Sequence, residues 1–339
     1  MNILITGISG FAGSFLAEYI LKAQSSIRRL ADKAQSLFGT VFSARESSNL
    51  QNIQDRLHLF SGDLSDRGFV KKVLDESCPD LIFHLAAIAF VGESLKNPEK
   101  VILNNIQIQL NLLEEIRAQG LKPKILIVGS ADEYGLVAPA DNPLSENQPL
   151  LPVSPYGFSK LAQDLMGYVY YKSYGLPIVR VRPFNHIGPR QSSLFVVPAF
   201  AKQIAEAEAD LAEPTVKVGN LSAKRDFCDV RDMVKAYWLA LEKGQIGDVY
   251  NLGSGKAYAI SWVLETLISY AKIKIKIQKD PSRLRAADLP VTMCNQQKFA
   301  AQTSWKPTFS IEETLLETLN YWREKVKIAK GRELGAKSK

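Results

Sequence analysis

The stretch Thr6-Gly7-Ile8-Ser9-Gly10-Phe11-Ala12-Gly13, directly behind the apolar run Asn2-Ile3-Leu4-Ile5, constrains this chain more than any other feature. An apolar run, a turn with three glycines and an amphipathic stretch from Phe11 form the opening of a strand–turn–helix unit. Each glycine has a use there. Gly7 permits the tight turn, Gly10 lets the backbone approach a pyrophosphate, and Gly13 lets the helix pack closely on the strand. Free amides and the positive end of the helix then face the anion. The bland alternative is a glycine-rich turn with no ligand; the order of strand, glycines and helix argues against it.

The rest of the first half repeats this rhythm. Short apolar runs predict strands over residues 39–44, 57–60, 80–85, 124–129 and 177–181, besides the first at 2–6. Amphipathic stretches predict helices over 11–22 and 101–118, with 24–37 an extra helical turn or a surface loop. Strands alternating with helices imply an α/β doubly wound parallel sheet of the dinucleotide-binding type. After Arg182, segments punctuated by Pro and Gly mark a second region, with helices at 198–209, 260–271 and 311–325. A helix at 229–243 and a strand at 249–253 return to the sheet. The expected division is 1–182 with about 226–256 as the dinucleotide-binding domain, 183–225 with 257–325 as a smaller α/β substrate domain, and 326–339 as a basic tail.

Composition narrows the class. With 339 residues, 46% hydrophobic and 23% charged, the chain is long enough for one large core or two packed domains, which excludes disorder. The formal charge of +7 is uneven: residues 323–339 hold seven Lys/Arg against two Glu, leaving +2 for the other 322. A nearly neutral body argues against a nucleic-acid partner, and the tail reads as a solvated, frayed terminus. No apolar stretch reaches the roughly 18 residues a membrane span needs, and residues 2–6 lack the basic flank of a leader, so the expectation is a cytoplasmic protein beginning near Met1. Cys78, Cys228 and Cys294 are too scattered for a disulfide framework or a zinc site. His84 and His186 lack companion ligands and read as core or backbone-bonded histidines, so no metal is expected. Trp238, Trp262, Trp305 and Trp322 read as packing residues.

The end of the second strand selects the nucleotide. An acidic residue there would bind the ribose hydroxyls of NAD(H), but the chain offers Ser43-Ala44-Arg45-Glu46. Arg45 can pair with a 2′-phosphate, which favours NADP(H) and leaves NAD(H) possible; it can equally be an ordinary exposed arginine. Asp63-Leu64, behind the third strand, is placed to meet the adenine edge. Asp63 alternatively caps a helix, and one carboxylate can do both.

Tyr156 and Lys160 stand four residues apart on one face of the helix that begins near Pro155. A free phenol ionises near pH 10, so proton transfer near neutrality needs help of about 3 pH units, which an adjacent ammonium can supply in part. Tyr-x-x-x-Lys alone is common on helix surfaces. Ser130 strengthens it, because it sits at the carboxyl end of the fifth strand, where open α/β sheets place their ligand crevice.

Taken together, Thr6-Gly7-x-x-Gly10-Phe11-x-Gly13, His84-Leu85-Ala86-Ala87, Ser130-Ala131-Asp132-Glu133-Tyr134-Gly135 and Tyr156-x-x-x-Lys160 resemble the extended short-chain dehydrogenase/reductases that act on nucleotide sugars. The resemblance covers essentially the whole chain before the tail. It implies Ser130, Tyr156 and Lys160 as the catalytic triad and Asn105 as the helix residue supporting a proton-relay water, with local backbone satisfaction the competing role for Asn105. It also implies cofactor contacts at Gly7, Gly10, Phe11, Gly13, Leu85, Ala86, Ala87 and Pro183.

Within that family, Gly219-Asn220-Leu221-Ser222-Ala223-Lys224-Arg225-Asp226-Phe227 is similar to a segment of the enzymes of GDP-6-deoxyhexose metabolism. The runs 182–191 and 195–204 are most similar to the GDP-4-keto-6-deoxy-mannose reductases. The resemblance places Asn185, Lys202, Asn220, Arg225, Arg285 and Asp288 at a GDP-sugar site, where arginine forks suit a diphosphate. Arg225 can instead be a structural partner of Asp226 or Asp229. The implied reaction is NAD(P)H-dependent reduction of the C4 ketone of GDP-4-keto-6-deoxy-D-mannose to GDP-D-rhamnose or its C4 epimer. Ser130 would polarise the oxygen, Tyr156 donate the proton, and Lys160 tune the phenol and hold the nicotinamide ribose. A GDP-mannose 4,6-dehydratase or a nucleotide-sugar 4-epimerase is the alternative, a non-catalytic dinucleotide sensor the remote one, and a homodimer is implied by the resemblance alone.

Three departures from the family pattern matter. Ile88-Ala89-Phe90 stands where polar residues commonly touch the sugar, so Glu93 or Ser94 must supply those contacts or they must differ. Asp132, one methylene shorter, replaces the glutamate base of the dehydratases: it can still reach as that base, or it is a loop carboxylate serving position, the reading favoured. Ala286 replaces a proline beside Arg285.

Overall fold

Apart from the edge strand His58–Ser61, which has no buried residue, the strands of the main sheet are short, mostly buried runs, the pattern of a sheet covered on both faces. The computed structural model describes residues 1–26, 36–43, 48–283 and 289–337. Its first part runs β1 (Asn2–Thr6), α1 (Phe11–Ser26), β2 (Ser36–Val41), β3 (His58–Ser61), α2 (Arg67–Ser77), β4 (Leu81–His84), α3 (Val91–Lys96), α4 (Pro98–Ala118), β5 (Lys124–Val128), α5 (Pro155–Tyr174) and β6 (Ile178–Pro183). The second part runs β7 (Asn185–Ile187), α6 (Val196–Glu208), β8 (Thr215–Val218), β9 (Lys224–Asp229), α7 (Val230–Lys243), β10 (Val249–Leu252), β11 (Ala257–Ala259), α8 (Ile260–Ser269), β12 (Lys276–Lys279), β13 (Val291–Thr292), α9 (Gln297–Thr303) and α10 (Ile311–Lys337).

Seven parallel strands form one sheet in the order β10-β6-β5-β4-β1-β2-β3. Successive strands diverge to either side of the β1/β4 boundary, and a crevice for a ligand opens at the carboxyl ends there. One core packs α1 and α7 against the sheet through Leu16, Ile20, Met233 and Tyr237. The opposite core joins α2, α4 and α5 through Val73, Leu112, Ile116 and Tyr170. A third core gathers Val197, Ile204, Val216, Val263, Leu267 and Leu315 from α6, β8, α8 and α10. Beside it, β11, β13 and β7 each pair with β9. Trp238 and Trp305 are buried in the first core, and Trp262 and Trp322 pack on the third.

The structure moves several predicted boundaries. The second strand begins at Ser36, not residue 39, because the register Asn2↔Ser36 to Thr6↔Thr40 pairs the whole length of β1 with it. α1 continues to Ser26, which takes up the start of the predicted connection, and residues 27–35 lie outside the described ones. α10 runs to Lys337, so the segment expected to fray is helical. Val326 is buried on it and Lys330 Nζ donates to the Ala209 carbonyl at 2.6 Å, which anchors the extension to α6.

Candidate active site

The glycine turn is built as a cradle. Gly7 takes φ of 68°, and a Cβ there would stand 3.0 Å from the Ala86 backbone. A Cβ on Gly13 would drive into the Gly7 carbonyl and come within 2.9 Å of Ile8. A Cβ on Gly10 would meet only the Gly7 carbonyl, at 3.2 Å, and otherwise project into open space. Gly13 therefore closes helix on strand, while Gly10 keeps an approach clear above the first turn of α1, whose amides lack intrahelical acceptors. This arrangement fits the pyrophosphate of a dinucleotide.

Thr6 ties the two halves of the crevice together. Its hydroxyl accepts from Ala86 N at 3.2 Å and shares a 2.9 Å hydrogen bond with His84 Nδ1. Burial, with the Lys160 charge in second place, pushes the His84 imidazolium down to about 3, so the ring is neutral. Leu85 packs on the α1 side of the sheet and Ala86 on the α2 side. Ala87 follows them at the mouth, half-buried. Phe11 stacks on His186, ring centroids 5.6 Å apart and planes within 4°, which brings the segment after β6 over the start of α1. His186 also meets the Phe184 carbonyl through Nδ1 at 3.4 Å, as a backbone-bonded histidine. Pro183 is the buried last residue of β6.

Asp63 receives Ser65 N at 2.8 Å, and the cap of α2 is Asp66, whose carboxylate accepts from Gly68 N. The expected helix-cap role thus belongs to Asp66, because the helix starts three residues later than Asp63 requires. Leu64 is buried in the α2 core, with its carbonyl held by Asn111 Nδ2 at 2.9 Å. Arg45, Arg285 and Asp288 lie outside the described residues.

α5 begins where the chemistry needs it. Ser154 caps it by accepting from Gly157 N at 3.0 Å, Pro155 fills its first position, and Gly175 ends it at φ of 67°. Tyr156 and Lys160 consequently project from its first two turns toward the carboxyl end of β5. There Ser130 caps a short 3₁₀ turn, Ala131–Glu133. Its hydroxyl accepts from Asp132 N at 3.1 Å and its own N donates to Glu133 Oε1 at 2.7 Å. The Ser130 hydroxyl also stands near enough to the Tyr156 phenol to favour its ionised form.

Burial, then the Asp132 charge, raises the phenol well above its ordinary range, and the nearby Ser130 hydroxyl works in the opposite direction. Tyr156 is protonated at neutral pH. Burial pushes Lys160 down to about 8, opposed by Glu133 and Asp164. Its Nζ donates to Gln163 Oε1 at 2.6 Å. Asn105 is fully buried: its Oδ1 accepts from Ile88 N at 2.8 Å and its Nδ2 donates to Ser159 Oγ at 3.0 Å. Its side chain thus engages both the main chain of Ile88 and the Ser159 hydroxyl.

Glu133, Asp164 and Gln163 are site residues that sequence reasoning missed. Gln163 and Asp164 stand three and four positions after Lys160, on the same face of one helix, which was the available signal. Asp164 is held between Arg180 and Arg182 of β6. Glu133 Oε2 lies 3.1 Å from Arg182 Nε but has no hydrogen-bond donor aimed at it among the described residues.

On the second side of the crevice, β7 and β13 flank β9, so Asn185 opposite Phe227 and Thr292 opposite Arg225 share one small sheet. Asn185 is exposed. Arg225 Nη1 donates to the Leu289 carbonyl at 2.6 Å, while Asp226 is taken up by Ser254, Gly255 and Cys294 and Asp229 by Arg231 and Thr314. Asn220 closes a turn onto Ser222 at 3.0 Å. Lys202 pairs with Glu206 at 3.5 Å and lies over Trp322, in the seam of α6 with α10. Ser94 is fully buried and donates to the Val91 carbonyl, and Glu93 accepts from Asn97, so Ser94 does not offer the sugar contact that its position suggested.

The sequence matches the family described as GDP-mannose 4,6 dehydratase over residues 4–318. It is 31% identical to a GDP-6-deoxy-D-mannose reductase of Pseudomonas aeruginosa over 327 residues, 96% of this chain and 98% of that protein. Among solved structures, RMD from Pseudomonas aeruginosa complexed with NADPH superposes with a TM-score of 0.80 at 29% identity, covering 96% of this chain and all of that one. A UDP-glucose 4-epimerase of Thermus thermophilus in complex with NAD gives 0.82 at 28% identity, over 95% and 99%.

Proposed function

Because the chain belongs to the GDP-mannose 4,6-dehydratase family of extended short-chain dehydrogenase/reductases, we propose that it reduces the C4 ketone of GDP-4-keto-6-deoxy-D-mannose with NAD(P)H, giving GDP-D-rhamnose or its C4 epimer. The observation that carries this reading is the juxtaposition of Ser130 and Tyr156 at the end of β5, with the buried Lys160 one turn behind the phenol. A protonated phenol is the form needed to donate to a developing alkoxide, and the Ser130 hydroxyl adds a second donor to the same oxygen.

The dinucleotide would lie along Gly7, Gly10, Phe11 and Gly13, with Asp63 and Leu64 toward the adenine, Leu85, Ala86, Ala87 and Pro183 beside the nicotinamide half, and Lys160 at the ribose. When bound in reduced form it supplies hydride. The protein orients the ketone, excludes water with Phe11 and His186, and delivers one proton from Tyr156 Oη. Asn185, Asn220 and Arg225 are the proposed contacts to the nucleotide sugar, with Arg285 and Asp288 from the adjoining segment. Lys202 joins them only by leaving Glu206. NADP(H) is favoured by Arg45 in the sequence and by the NADPH bound in the Pseudomonas structure.

No described helix is long and apolar enough to cross a membrane. The protein is proposed to work in the cytoplasm without nucleic acid, as a homodimer through α4 and α5. Leu103, Phe158, Leu165 and Val169 support that pairing, since each leaves about half of its surface exposed along those two helices.

A dehydratase is the second reading, favoured by Asp132, whose charge acts on Tyr156. The two are separated by substrate. A reductase consumes one NADPH for each GDP-4-keto-6-deoxy-D-mannose and leaves GDP-mannose untouched. Conversion of GDP-mannose with no net change in cofactor would establish the dehydratase instead.

A further inference from the structure

Gln163 is fully buried, and its amide is engaged at both ends. Oε1 accepts from Lys160 Nζ at 2.6 Å. Nε2 donates to the main-chain carbonyl of Asn105 on α4 at 2.8 Å. One turn further along α4, Gln109 Nε2 donates to the Gln163 main-chain carbonyl at 2.7 Å, so two bonds fasten this residue to the neighbouring helix. Chemistry fixes the orientation of the amide: a carbonyl only accepts and an ammonium only donates, so nitrogen must face α4 and oxygen must face the lysine.

We propose that Gln163 is the positioning residue of Lys160, a side-chain strut from the Asn105 carbonyl that sets where the ammonium points and supplies its neutral acceptor. This inference rests on the reductase reading for what Lys160 then does, while the strut itself stands on the geometry. The other groups that act on Lys160 come from every side. Glu133 faces it from the turn after β5, Asp164 from its own helix, and neutral His84 from β4. Arg180 and Arg182 of β6 stand behind Asp164 and pull that carboxylate toward themselves. Gln163 is the uncharged member that meets Nζ directly, and an acceptor at a buried ammonium favours the cation.

Gln163→Met keeps the length of the side chain and removes the acceptor, and Gln163→Glu keeps an acceptor toward Nζ. In protein labelled with ¹³C at lysine Cε, the Lys160 signal is identified by its loss in Lys160→Arg, and its titration midpoint is followed without ligand. The midpoint is expected to fall by about one pH unit in Gln163→Met and to stay at or above the wild-type value in Gln163→Glu. The alkaline limb of kcat should move with it. If Gln163→Met does not fold, Gln163→Leu removes the same acceptor. An unchanged midpoint in a folded acceptor-free variant, or an equal fall in Gln163→Glu, overturns the proposal. Midpoints that move as expected in an enzyme that does not reduce the keto sugar would leave the strut intact and refute the reductase reading alone.

Discussion

Arg182 meets a single oxygen of Asp164 twice, with Nε at 2.8 Å and Nη2 at 2.6 Å from Oδ2, while Arg180 takes the other oxygen at 2.7 Å. With both guanidinium groups committed to Asp164, that carboxyl is held below its ordinary range. Glu133, buried beside it, moves the other way, because burial and the Asp164 charge both disfavour a second anion. A proton retained on Glu133 and shared with Asp164 would satisfy the Glu133 oxygen that otherwise lacks a donor among the described residues.

Glu133→Gln tests that proton. The amide still accepts from Ser130 N and donates to Asp164, as the neutral acid does. A carboxyl whose folded pKa is raised contributes stability that is fully present below its unfolded value of about 4.3, and this declines by about 1.4 kcal/mol per pH unit above it until the folded value is reached. Asp164, depressed, loses its contribution only as pH falls through its lowered value, so the two windows do not overlap. The stability of Glu133→Gln relative to wild type, from urea unfolding between about pH 5 and 8, is expected to rise with pH. A difference that is flat or falls means that Glu133 is ionised against Arg182.

The glycines of the cradle separate binding from folding. Gly13→Ala forces a methyl into the Gly7 carbonyl and the Ile8 backbone, an overpacking that costs about 1–3 kcal/mol of stability. Gly10→Ala meets one carbonyl at 3.2 Å and is expected to fold normally while weakening NADPH binding about tenfold or more. Thermal unfolding and cofactor titration on both variants check this. Equal cofactor affinity in Gly10→Ala and wild type would move the pyrophosphate away from the turn.

Much of this was legible because it is local. The turn from Thr6 to Gly13 and the start of α5 at Ser154-Pro155 are written in adjacent residues, and the structure keeps both. The start of β2 was not, since it depends on register with β1 across 34 residues of chain. Gln163 and Asp164 could be put on the face of Lys160 by counting, but the Asn105 carbonyl that orients Gln163 belongs to a different helix. The span of α10 was misjudged for a related reason: charge suggested a solvated tail, whereas Val326 and Lys330 find partners on the folded body.

Tyr156→Phe removes the proton donor and leaves Ser130, Lys160 and the cradle in place. Its kcat is expected to fall by about 10²- to 10⁴-fold with NADPH affinity kept, and wild-type rate should decline as pH rises through about 8, where Lys160 loses its charge. Steady-state rates and cofactor titration measure both. Retained turnover would assign the proton to another group.

Hydride transfer to C4 of the sugar is followed most directly by supplying NADPH deuterated at the nicotinamide C4 on the transferred face, with GDP-4-keto-6-deoxy-D-mannose. The expected product carries one deuterium, at hexose C4, with one NADP⁺ formed per sugar. A product without deuterium from either face of the labelled cofactor, or with the label at another carbon, would contradict the account.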